Sequence, residues 1–321
     1  MQLRPLGTTG LNVSEIGFGA WGIGASSWIG ASEDESVAAL HRAIELGVNF
    51  VDTARGYGES ERIVGAVLRD HPEVLVATKV PPKNGVWPAP GGLHPDETFP
   101  GEHIRSSLET SLAASGRDAF DVLQLHVWSD DWIGRGDWLE TVDDLRREGK
   151  IRFFGVSIND YQPENALALV RSGAVDTVQV ISNVWHQQPE EQLLPACAEH
   201  GVGVIVRVAL DEGGLTGRIT AGSTFPDGDF RNTYFGGDRA AQVEQHVAAL
   251  VDDLGISADQ LPDIALRYVL ENPAVSTVIP GMRTVRNVER NAATSDGRRL
   301  TDAQVAVIRR HRWERNFYRA P

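Results

Sequence analysis

Four polar residues suited to proton transfer follow successive short apolar runs of the chain. Asp52 and Tyr57 lie in DTARGYG, Lys79 in VATKV and His126 in LQLHVW. A tyrosine acts as a general acid near neutral pH only if its pKa is lowered from about 10, and an adjacent ammonium lowers it by favouring the phenolate. A carboxylate fixes and neutralises that ammonium, while an imidazole opposite shares the charge that develops on a carbonyl oxygen. These residue types predict a site that protonates an oxyanion.

Each of these residues also has a simpler interpretation. A lone aspartate at a strand end often caps a helix, and VATKV alone is compatible with a surface lysine. A histidine that ends a strand is usually a polar residue with satisfied hydrogen bonds. Their occurrence at the ends of successive strands favours the joint catalytic interpretation, which requires a fold that brings those ends together.

Short apolar runs alternate with longer amphipathic segments along the chain. The strand candidates are SEIGFGA, NFVDTA, EVLVATKV, DVLQLH, IRFFGVS, TVQVIS, GVGVIVRV and VSTVIPG. The helix candidates between them include DESVAALHRAIELG, ESERIVGAVLRD, PGEHIRSSLETSLAASG, GDWLETVDDLRREGK, PENALALVRSG and PEEQLLPACAEHG. Because the strand runs are almost uniformly apolar, they are expected to be buried on both faces, as in a parallel sheet. The pattern predicts an α/β fold, a (β/α)8 TIM barrel, with an open doubly wound sheet as the alternative.

The ends of the chain predict additions to one barrel domain over residues 1–321. The opening LRPLGTTGLNVS indicates an N-terminal β-hairpin at the barrel floor, and TDAQVAVIRRHRWERNFY indicates a C-terminal helix. A long irregular stretch from Asp211 to about Asp238 is expected to serve function or to be disordered. In a barrel the carboxyl ends of the strands meet at one mouth, so Asp52, Tyr57, Lys79 and His126 are expected to converge there.

Composition limits the classes of partner. The 321 residues contain 30 Lys and Arg against 44 Asp and Glu, a net charge of −14, which argues against nucleic acid or an anionic membrane surface. The single cysteine, Cys197, excludes an intramolecular disulfide and is expected to be a buried, unreactive thiol. No apolar run approaches the ~18 residues of a membrane span, and the N-terminus has no signal-like apolar region. These features predict a cytoplasmic protein.

The stretch GFGAWG at residues 17–22 matches G-x-G-x-x-G, the spacing that binds a pyrophosphate in Rossmann folds. A strand precedes it, as that motif requires. No helix begins at its last glycine, however, since IGASSWIGA resembles a loop, and the next strand-end acid, Asp52, lies too far on. The stretch is therefore interpreted as the end of the first strand and its loop.

The motifs resemble those of the aldo-keto reductase family over essentially the whole chain. NFVDTARGYGESE, VATKV, DVLQLH and VSTVIPGMRTVRNVERN carry the resemblance. It implies a barrel that binds a nicotinamide cofactor, usually NADPH with NADH possible, across its mouth. It also implies that hydride passes to an aldehyde or ketone carbon while Tyr57 donates the proton, Lys79 and Asp52 tune Tyr57, and His126 orients the carbonyl.

The resemblance also implies cofactor contacts around the mouth. The backbone of Gly19 and Ala20, followed by Trp21, would approach the nicotinamide. Ser157 and Asn159 in GVSIND, and Gln179 in TVQV, would hold its amide, although Ile158 interrupts the family's adjacent Ser-Asn pair. LDEGGLTGR resembles the loop that crosses the pyrophosphate; its implied contacts are Leu210, Gly213 and Leu215.

One departure from the family concerns the end of the seventh strand. Many members carry a tyrosine there that stacks on the nicotinamide, whereas VIVRVAL places Arg207. A guanidinium can also stack on an aromatic ring. Its positive charge is expected to weaken binding of the oxidised cofactor, whose nicotinamide ring is cationic, relative to binding of the reduced one, and so to favour reduction.

The adenosine end is assigned to the helix that begins in PGMRTVRNVERN, whose N-terminus could receive a phosphate. Arg283 is the candidate for the 2′-phosphate, with Asn287 and Asn291 facing adenine. Other subgroups place Lys after the Pro and Arg further along, where this chain has Gly281 and Asn287. A solvated basic helix face and dual cofactor use are the alternatives.

Aromatic residues of the mouth loops are candidates for the substrate pocket, and Trp21 and Trp128 are the predicted contacts. The other candidates are Trp28, Trp87, Trp132, Phe230, Tyr234 and Phe235. An aromatic wall suits a flat or apolar small-molecule carbonyl compound, or the face of a sugar. Two alternative functions stay open: NAD(P)-dependent oxidation of an aldose or alcohol, and a cofactor-binding partner subunit with little turnover. A metal site is not expected, because only Asp52 and His126 qualify as strand-end ligands.

Overall fold

Eight parallel strands form the centre of the protein. The computed structural model describes residues 1–89 and 91–314. A hairpin of β1 (Leu3–Pro5) and β2 (Asn12–Ser14) precedes the central sheet. The sheet strands are β3 (Phe18–Gly19), β4 (Phe50–Asp52), β5 (Leu75–Val80), β6 (Phe120–Leu125), β7 (Ile151–Ser157), β8 (Thr177–Ile181), β9 (Gly203–Arg207) and β10 (Val275–Val278). Neighbours in the sheet are consecutive in the chain and pair in parallel, as predicted.

The two edges of this sheet meet and close the barrel. Gly17 N donates to the carbonyl oxygen of Val278 at 2.8 Å, and Gly19 N donates to that of Pro280 at 3.1 Å. An added Cβ at Gly19 would lie 2.5 Å from the carbonyl oxygen of Ile279. Glycine therefore permits this approach of the first and last strands, and the alternative of an open doubly wound sheet is excluded.

Helices surround the barrel, and capping side chains define several of their ends. They are α1 (Glu33–Glu45), α2 (Ser60–Leu68), α3 (Pro95–Thr98), α4 (Gly101–Ser115), α5 (Trp138–Arg147), α6 (Leu167–Ser172), α7 (Leu193–His200), α8 (Arg231–Tyr234), α9 (Arg239–Leu254), α10 (Leu261–Glu271), α11 (Val285–Ala293) and α12 (Asp302–Arg310). Ser32 caps α1 by accepting from Glu35 N at 3.1 Å. The helix α4 ends at Gly116, which has a left-handed φ of 64°.

The N-terminal hairpin covers the floor of the barrel. Leu6 and Val13 are fully buried and pack inside the barrel with Phe50 and Ile205. Arg4 donates to the carbonyl oxygens of Leu270 and Val275 at 2.7 and 3.1 Å, which ties the hairpin to the last helix–strand unit. The floor is thus closed by apolar packing and by hydrogen bonds from the Arg4 guanidinium to backbone carbonyl oxygens, which leaves the opposite end as the mouth.

Three further predictions concern the C-terminal helix, the single cysteine and the long stretch 211–238. The helix predicted over residues 301–318 is present as α12 but ends at Arg310: residues 311–314 are not helical, and 315–318 lie outside the described part of the chain. Cys197 is fully buried in α7, and burial raises the pKa of its thiol to about 12, so it is unreactive. The stretch 211–238 is ordered into a 3₁₀ turn over Asp211–Thr216 and the short helix α8. No described helix is both long and apolar enough to span a bilayer.

Candidate active site

A cavity of about 730 Å³ opens at the carboxyl ends of the barrel strands. Asp52, Tyr57 and His126 line it, and the Lys79 side chain lies beneath them at 1% exposure. The strand ends therefore bring the four predicted side chains together: Asp52 ends β4, Lys79 is the second-last residue of β5, and Tyr57 and His126 follow β4 and β6.

Lys79 and Asp52 form a buried ion pair below the cavity. Lys79 Nζ lies 2.5 Å from Asp52 Oδ2 and donates to the carbonyl oxygen of Thr53 at 2.8 Å. The other carboxylate oxygen accepts from Gln179 Nε2 at 2.7 Å and Gln124 Nε2 at 3.2 Å. Every charged atom of the pair is thus hydrogen bonded, as burial requires.

Gln124 was not predicted as part of this site. It is fully buried in β6, and its amide oxygen accepts from Gln179 Nε2 at 3.3 Å. The signal in the sequence is a glutamine within the otherwise apolar run DVLQLH, because a buried amide requires polar partners.

Tyr57 and His126 face each other at the cavity floor. Tyr57 Oη lies 3.4 Å from His126 Nε2, and Lys79 Nζ lies 4.8 Å from the centre of the Tyr57 ring. Within the described part of the chain His126 Nδ1 has no hydrogen-bond partner, so Nε2 is the imidazole nitrogen in a position to interact with a group beside Tyr57.

Burial sets the protonation states of both side chains. It raises the pKa of Tyr57 above its ordinary value, although the Lys79 charge acts in the opposite direction. The predicted lowering of the Tyr57 pKa is therefore wrong, and so is the requirement for it: desolvation of the phenolate outweighs the ammonium and keeps Tyr57 protonated, as a proton donor must be. Burial, aided by the Lys79 and Arg207 charges, lowers the pKa of His126 well below its usual range, so the imidazole is neutral.

The loop after β3 packs directly on the backbone of Tyr57. An added Cβ at Gly24 would overlap the carbonyl oxygen of Tyr57, and one at Gly58 would overlap that of Gly24. Gly24 O also accepts from Glu59 N at 3.1 Å. Two of the glycines around the residue 17–24 motif thus serve close packing: Gly19 at the barrel closure and Gly24 against Tyr57.

Aromatic side chains form the walls beside Tyr57 and His126. The ring centres of Trp21 and Tyr57 are 6.0 Å apart, and those of Trp87 and His126 are 4.6 Å apart. Trp28 and Phe230 also line the cavity, and Phe230 lies 5.0 Å from Trp21 between ring centres. The predicted position of Trp21 in the pocket wall therefore agrees with the geometry.

Trp128 requires a correction. It is fully buried, packs edge to face on Trp132 and Trp138, and donates its indole N–H to Asp130 at 2.9 Å. Its neighbour Val127 lines the cavity instead. Trp128 is therefore a core residue below the mouth and cannot contact a substrate in this arrangement.

The residues predicted to bind the nicotinamide differ from one another in their hydrogen-bond partners within the protein. Gly19, Ala20, Ser157 and Gln179 line the cavity. Both amide hydrogens of Gln179 are engaged by Asp52 and Gln124, so its amide oxygen is the group that could accept from a carboxamide.

Asn159 also lines the cavity, but its amide is engaged by protein groups. Its Oδ1 accepts from Ala89 N, and its Nδ2 donates to the Ala89 carbonyl oxygen and to Gln162 Oε1, all at 3.1 Å. The side chain therefore clamps the loop after β5 to the loop after β7. This clamp accounts for the asparagine without a cofactor contact.

Arg207 lines the cavity at the end of β9 but carries a counter-charge. Its Nη2 lies 2.7 Å from Asp160 Oδ1 and donates to the carbonyl oxygen of Ile158 at 2.9 Å. The predicted preference for the reduced cofactor depends on the positive charge of Arg207, and the negative charge of Asp160 offsets much of it. The expected effect of Arg207 on that preference is correspondingly smaller.

The 3₁₀ turn that follows β9 forms another part of the cavity wall. Leu210, Glu212, Gly213 and Thr216 line the cavity. Leu215 does not: it is fully buried and packs in a second apolar cluster with Trp185 and Val243. The predicted contact of Leu215 is corrected for this reason, whereas Leu210 and Gly213 lie where a ligand could reach them.

The far end of the cavity is basic. Gly281, Arg283, Asn287 and Asn291, the residues predicted for the adenosine end, line it. Arg283 donates to the carbonyl oxygen of Ile29 at 3.2 Å, and Thr284 caps α11 by accepting from Asn287 N at 3.2 Å.

Four lining arginines were not predicted: Arg218, Arg231, Arg286 and Arg290. Arg286 and Arg290 are four residues apart on α11, a spacing that places them on one helix face and was visible in the sequence. Among residues 1–89 and 91–314, no three His, Cys, Asp or Glu side chains are grouped so that they could hold a metal ion.

One protein family matches nearly the whole chain. The family described as aldo/keto reductase family matches residues 15–312. The chain belongs to this family. Aldo/keto reductases are oxidoreductases that use nicotinamide cofactors and act on small carbonyl or alcohol substrates, so this chain is an oxidoreductase of that kind.

Relatives with assigned names cover nearly the whole chain. The NADH-specific methylglyoxal reductase of Escherichia coli (strain K12) is 28% identical over 334 residues, which span 96% of this chain and 98% of that protein. The L-galactose dehydrogenase of Arabidopsis thaliana is 31% identical over 313 residues, 91% of this chain and 88% of the relative.

Solved structures of aldo/keto reductases share the fold. An aldo-keto reductase of Bacillus halodurans in its holo form matches with a TM-score of 0.75 and 26% identity, covering 97% of this chain and 96% of that one. The glycerol dehydrogenase of Gluconobacter oxydans matches with a TM-score of 0.74 and 26% identity, covering 96% and 94%.

Proposed function

We propose that this aldo/keto reductase uses NADPH to reduce an aldehyde or ketone to the alcohol, with the proton supplied by Tyr57. The observation that carries the proposal is the buried Asp52–Lys79 pair beneath Tyr57, with His126 Nε2 3.4 Å from the Tyr57 hydroxyl. Together these groups offer a proton donor, a neutral hydrogen-bonding imidazole and a fixed positive charge at one point of the cavity.

The side chains divide the work of protonation. A carbonyl oxygen between Tyr57 Oη and His126 Nε2 would accept a hydrogen bond from each, which polarises the carbonyl group. As negative charge grows on that oxygen, the Tyr57 proton moves to it. The phenolate that remains is stabilised by Lys79, whose position Asp52 and the carbonyl oxygen of Thr53 fix. A reduced nicotinamide, when bound, supplies the hydride that the carbonyl carbon requires.

The cavity residues fit a nicotinamide dinucleotide. The cavity extends from Tyr57 and His126 to α11, and the Gln179 amide oxygen lies at the end near Tyr57, where a carboxamide could bind. The opposite end gathers Arg283, Arg286 and Arg290. Guanidinium groups are suited to a phosphate, which favours the 2′-phosphate of NADPH over NADH. One relative is named as NADH-specific, so this choice requires its own test.

The arginine set predicts a loss that is specific to NADPH. Arg286→Ala and Arg290→Ala are each expected to raise the Kd of NADPH about 10-fold or more, because each removes a charge-assisted contact worth roughly 1.5–3 kcal/mol. The Kd of NADH is expected to change less than about 2-fold, and Arg310→Ala on the exposed face of α12 serves as the control. Titration calorimetry measures both. Equal losses for the two cofactors would contradict the assignment.

The pKa directions predict a broad plateau in the pH profile of kcat. Tyr57 must be protonated, and its raised pKa keeps it so up to its ordinary value of about 10. His126 must be neutral, and its lowered pKa keeps it so down to about 6.5 and below. Aldehyde reduction at saturating substrate is therefore expected to be level between these limits and to fall above the upper one. A midpoint near pH 7–8 would contradict this account.

Oxidation of an alcohol is the second candidate, because two similar proteins are named as dehydrogenases of L-galactose and glycerol. Oxidation requires Tyr57 to accept a proton, which its raised pKa disfavours at neutral pH unless bound cofactor lowers that pKa. The deciding experiment measures kcat/KM in both directions, with NADPH or NADH and aldehydes such as nitrobenzaldehyde, and with NADP⁺ or NAD⁺ and alcohols. Tight NADPH binding without turnover in either direction would favour a partner-subunit role instead.

A further inference from the structure

A buried ion pair lies behind the 3₁₀ turn that forms part of the cavity wall. Asp211, at the start of the turn, accepts from Arg239 Nη2 at 2.8 and 2.6 Å through its two carboxylate oxygens. The exposed fractions of the two side chains are 3% and 2%. The Tyr234 hydroxyl donates to Asp211 Oδ1 at 2.7 Å and is itself hydrogen bonded to Tyr161. None of these four residues lines the cavity.

The turn has a backbone conformation that needs support from its surroundings. Asp211 and Glu212 in the turn have φ angles of 50° and 51°, and Val208 before it has 57°, in the left-handed region that non-glycine residues avoid. Such a conformation persists where packing and hydrogen bonds hold it. An added Cβ at Gly214 would overlap the Asp211 carboxylate, so the carboxylate packs directly on the backbone of the turn.

The opposite side of the turn faces the middle of the cavity. Leu210, Glu212, Gly213 and Thr216 line it, on a wall shared with Tyr57 at one end and the α11 arginines at the other. A dinucleotide with its nicotinamide near Tyr57 and its 2′-phosphate near α11 has its diphosphate between them. The turn is therefore placed against the diphosphate.

We propose that Asp211, Arg239 and Tyr234 are positioning residues for the cofactor diphosphate. They act on its binding indirectly, by holding the Asp211–Thr216 turn in place from the side that faces away from the cavity. The inference rests on the proposed function, because it assumes a nicotinamide dinucleotide in the cavity. Removal of the Asp211 charge would take this counter-charge away from the buried Arg239 and free the turn to leave its left-handed conformation. Affinity for the whole cofactor would fall, while the proton-transfer groups stay in place.

The test compares a whole cofactor with a fragment that does not reach the turn. In Asp211→Asn at pH 8, the Kd of NADPH is expected to rise at least about 10-fold, while kcat at saturating NADPH changes less than about 2-fold. Burial raises the pKa of Asp211 to about 6 despite Arg239, so the wild-type carboxylate is ionised at this pH. The Kd of adenosine 2′-monophosphate, which would occupy only the α11 end, is expected to stay within about 2-fold.

Three further variants, at Tyr234 and Arg239, keep the inference testable if the Asp211→Asn protein does not fold. Tyr234→Phe removes the hydroxyl that donates to Asp211 and is expected to raise the Kd of NADPH about 3-fold. Arg239→Lys, which retains the charge, is expected to lose less affinity than Arg239→Met. Asp176→Asn is the matched control. Asp176 also pairs with an arginine, Arg146, and accepts from Phe154 N at 2.8 Å, but it does not line the cavity.

The outcomes separate this inference from the proposed function. An unchanged Kd of NADPH in Asp211→Asn and Tyr234→Phe would overturn the positioning role, and so would a parallel loss of affinity for the 2′-monophosphate. If the wild-type protein binds adenosine 2′-monophosphate but not NADPH, or binds neither, the proposed function fails first.

Discussion

Tyr57→Phe is expected to lower kcat for NADPH-dependent aldehyde reduction by at least about 100-fold, within the range of roughly 10²–10⁴ for general acid catalysis. The substitution removes the only phenol within hydrogen-bonding reach of His126 Nε2 in the described part of the chain and keeps the ring that packs beside Trp21. The Kd of NADPH is expected to stay within about 2-fold, because Tyr57 contributes a proton rather than a cofactor phosphate contact. Stopped-flow reduction of nitrobenzaldehyde and fluorescence titration measure the two quantities.

The same substitution elsewhere provides a control for loss of a tyrosine hydroxyl. Tyr268 on α10 donates to Glu190 at 2.8 Å and does not line the cavity. Tyr268→Phe is expected to keep kcat within about 2-fold. A Tyr57→Phe protein with full activity would rule out Tyr57 as the proton donor, and water or His126 would then have to take that role.

Lys79→Met is expected to lower the free energy of unfolding by about 3–5 kcal/mol and to abolish reduction. Loss of one partner leaves the other charge buried without compensation, which is the cause of a penalty of this size. The residual carboxylate of Asp52, at 3% exposure, would keep only its two glutamine donors. Urea denaturation followed by circular dichroism measures the stability.

The double variant Asp52→Asn/Lys79→Met separates stability from catalysis. It removes both charges, so it is expected to recover at least about half of the lost stability, because a neutral pair of similar volume is tolerated where the ion pair was buried. Activity is expected to stay absent, since no ammonium stabilises the Tyr57 phenolate. A double variant less stable than Lys79→Met would show that Asp52 is held mainly by Gln124 and Gln179 and not by the lysine.

Much of the fold and the proximity of the four polar residues could be predicted because both depend on local sequence patterns. Uniformly apolar runs between capped helices indicate a parallel sheet, and strand-end positions in a barrel converge without knowledge of any side-chain contact. The N-terminal hairpin and α12 follow from the same turn and capping signals.

The errors arose where the environment of a side chain decides its role. Trp128 lies two residues past His126, but its indole packs into the core. The residue types that follow the strand do not specify the direction in which this side chain points. The pKa of Tyr57 depends on the extent of burial as well as on Lys79. The counter-ion of Arg207, Asp160, is 47 residues away in the chain, so the sequence alone did not indicate that the two charges form a pair.

The contact of Gly24 with the Tyr57 backbone has a consequence for redesign of substrate range. The loop that carries Trp21 and Trp28 would be the natural segment to exchange for one from another reductase. Because neither Gly24 nor Gly58 has room for a methyl group, a grafted loop without glycine at position 24 would displace the proton donor along with the pocket wall. Libraries that diversify residues 21–31 should therefore keep this glycine fixed, and clones that lack it are expected to lose turnover on every substrate at once.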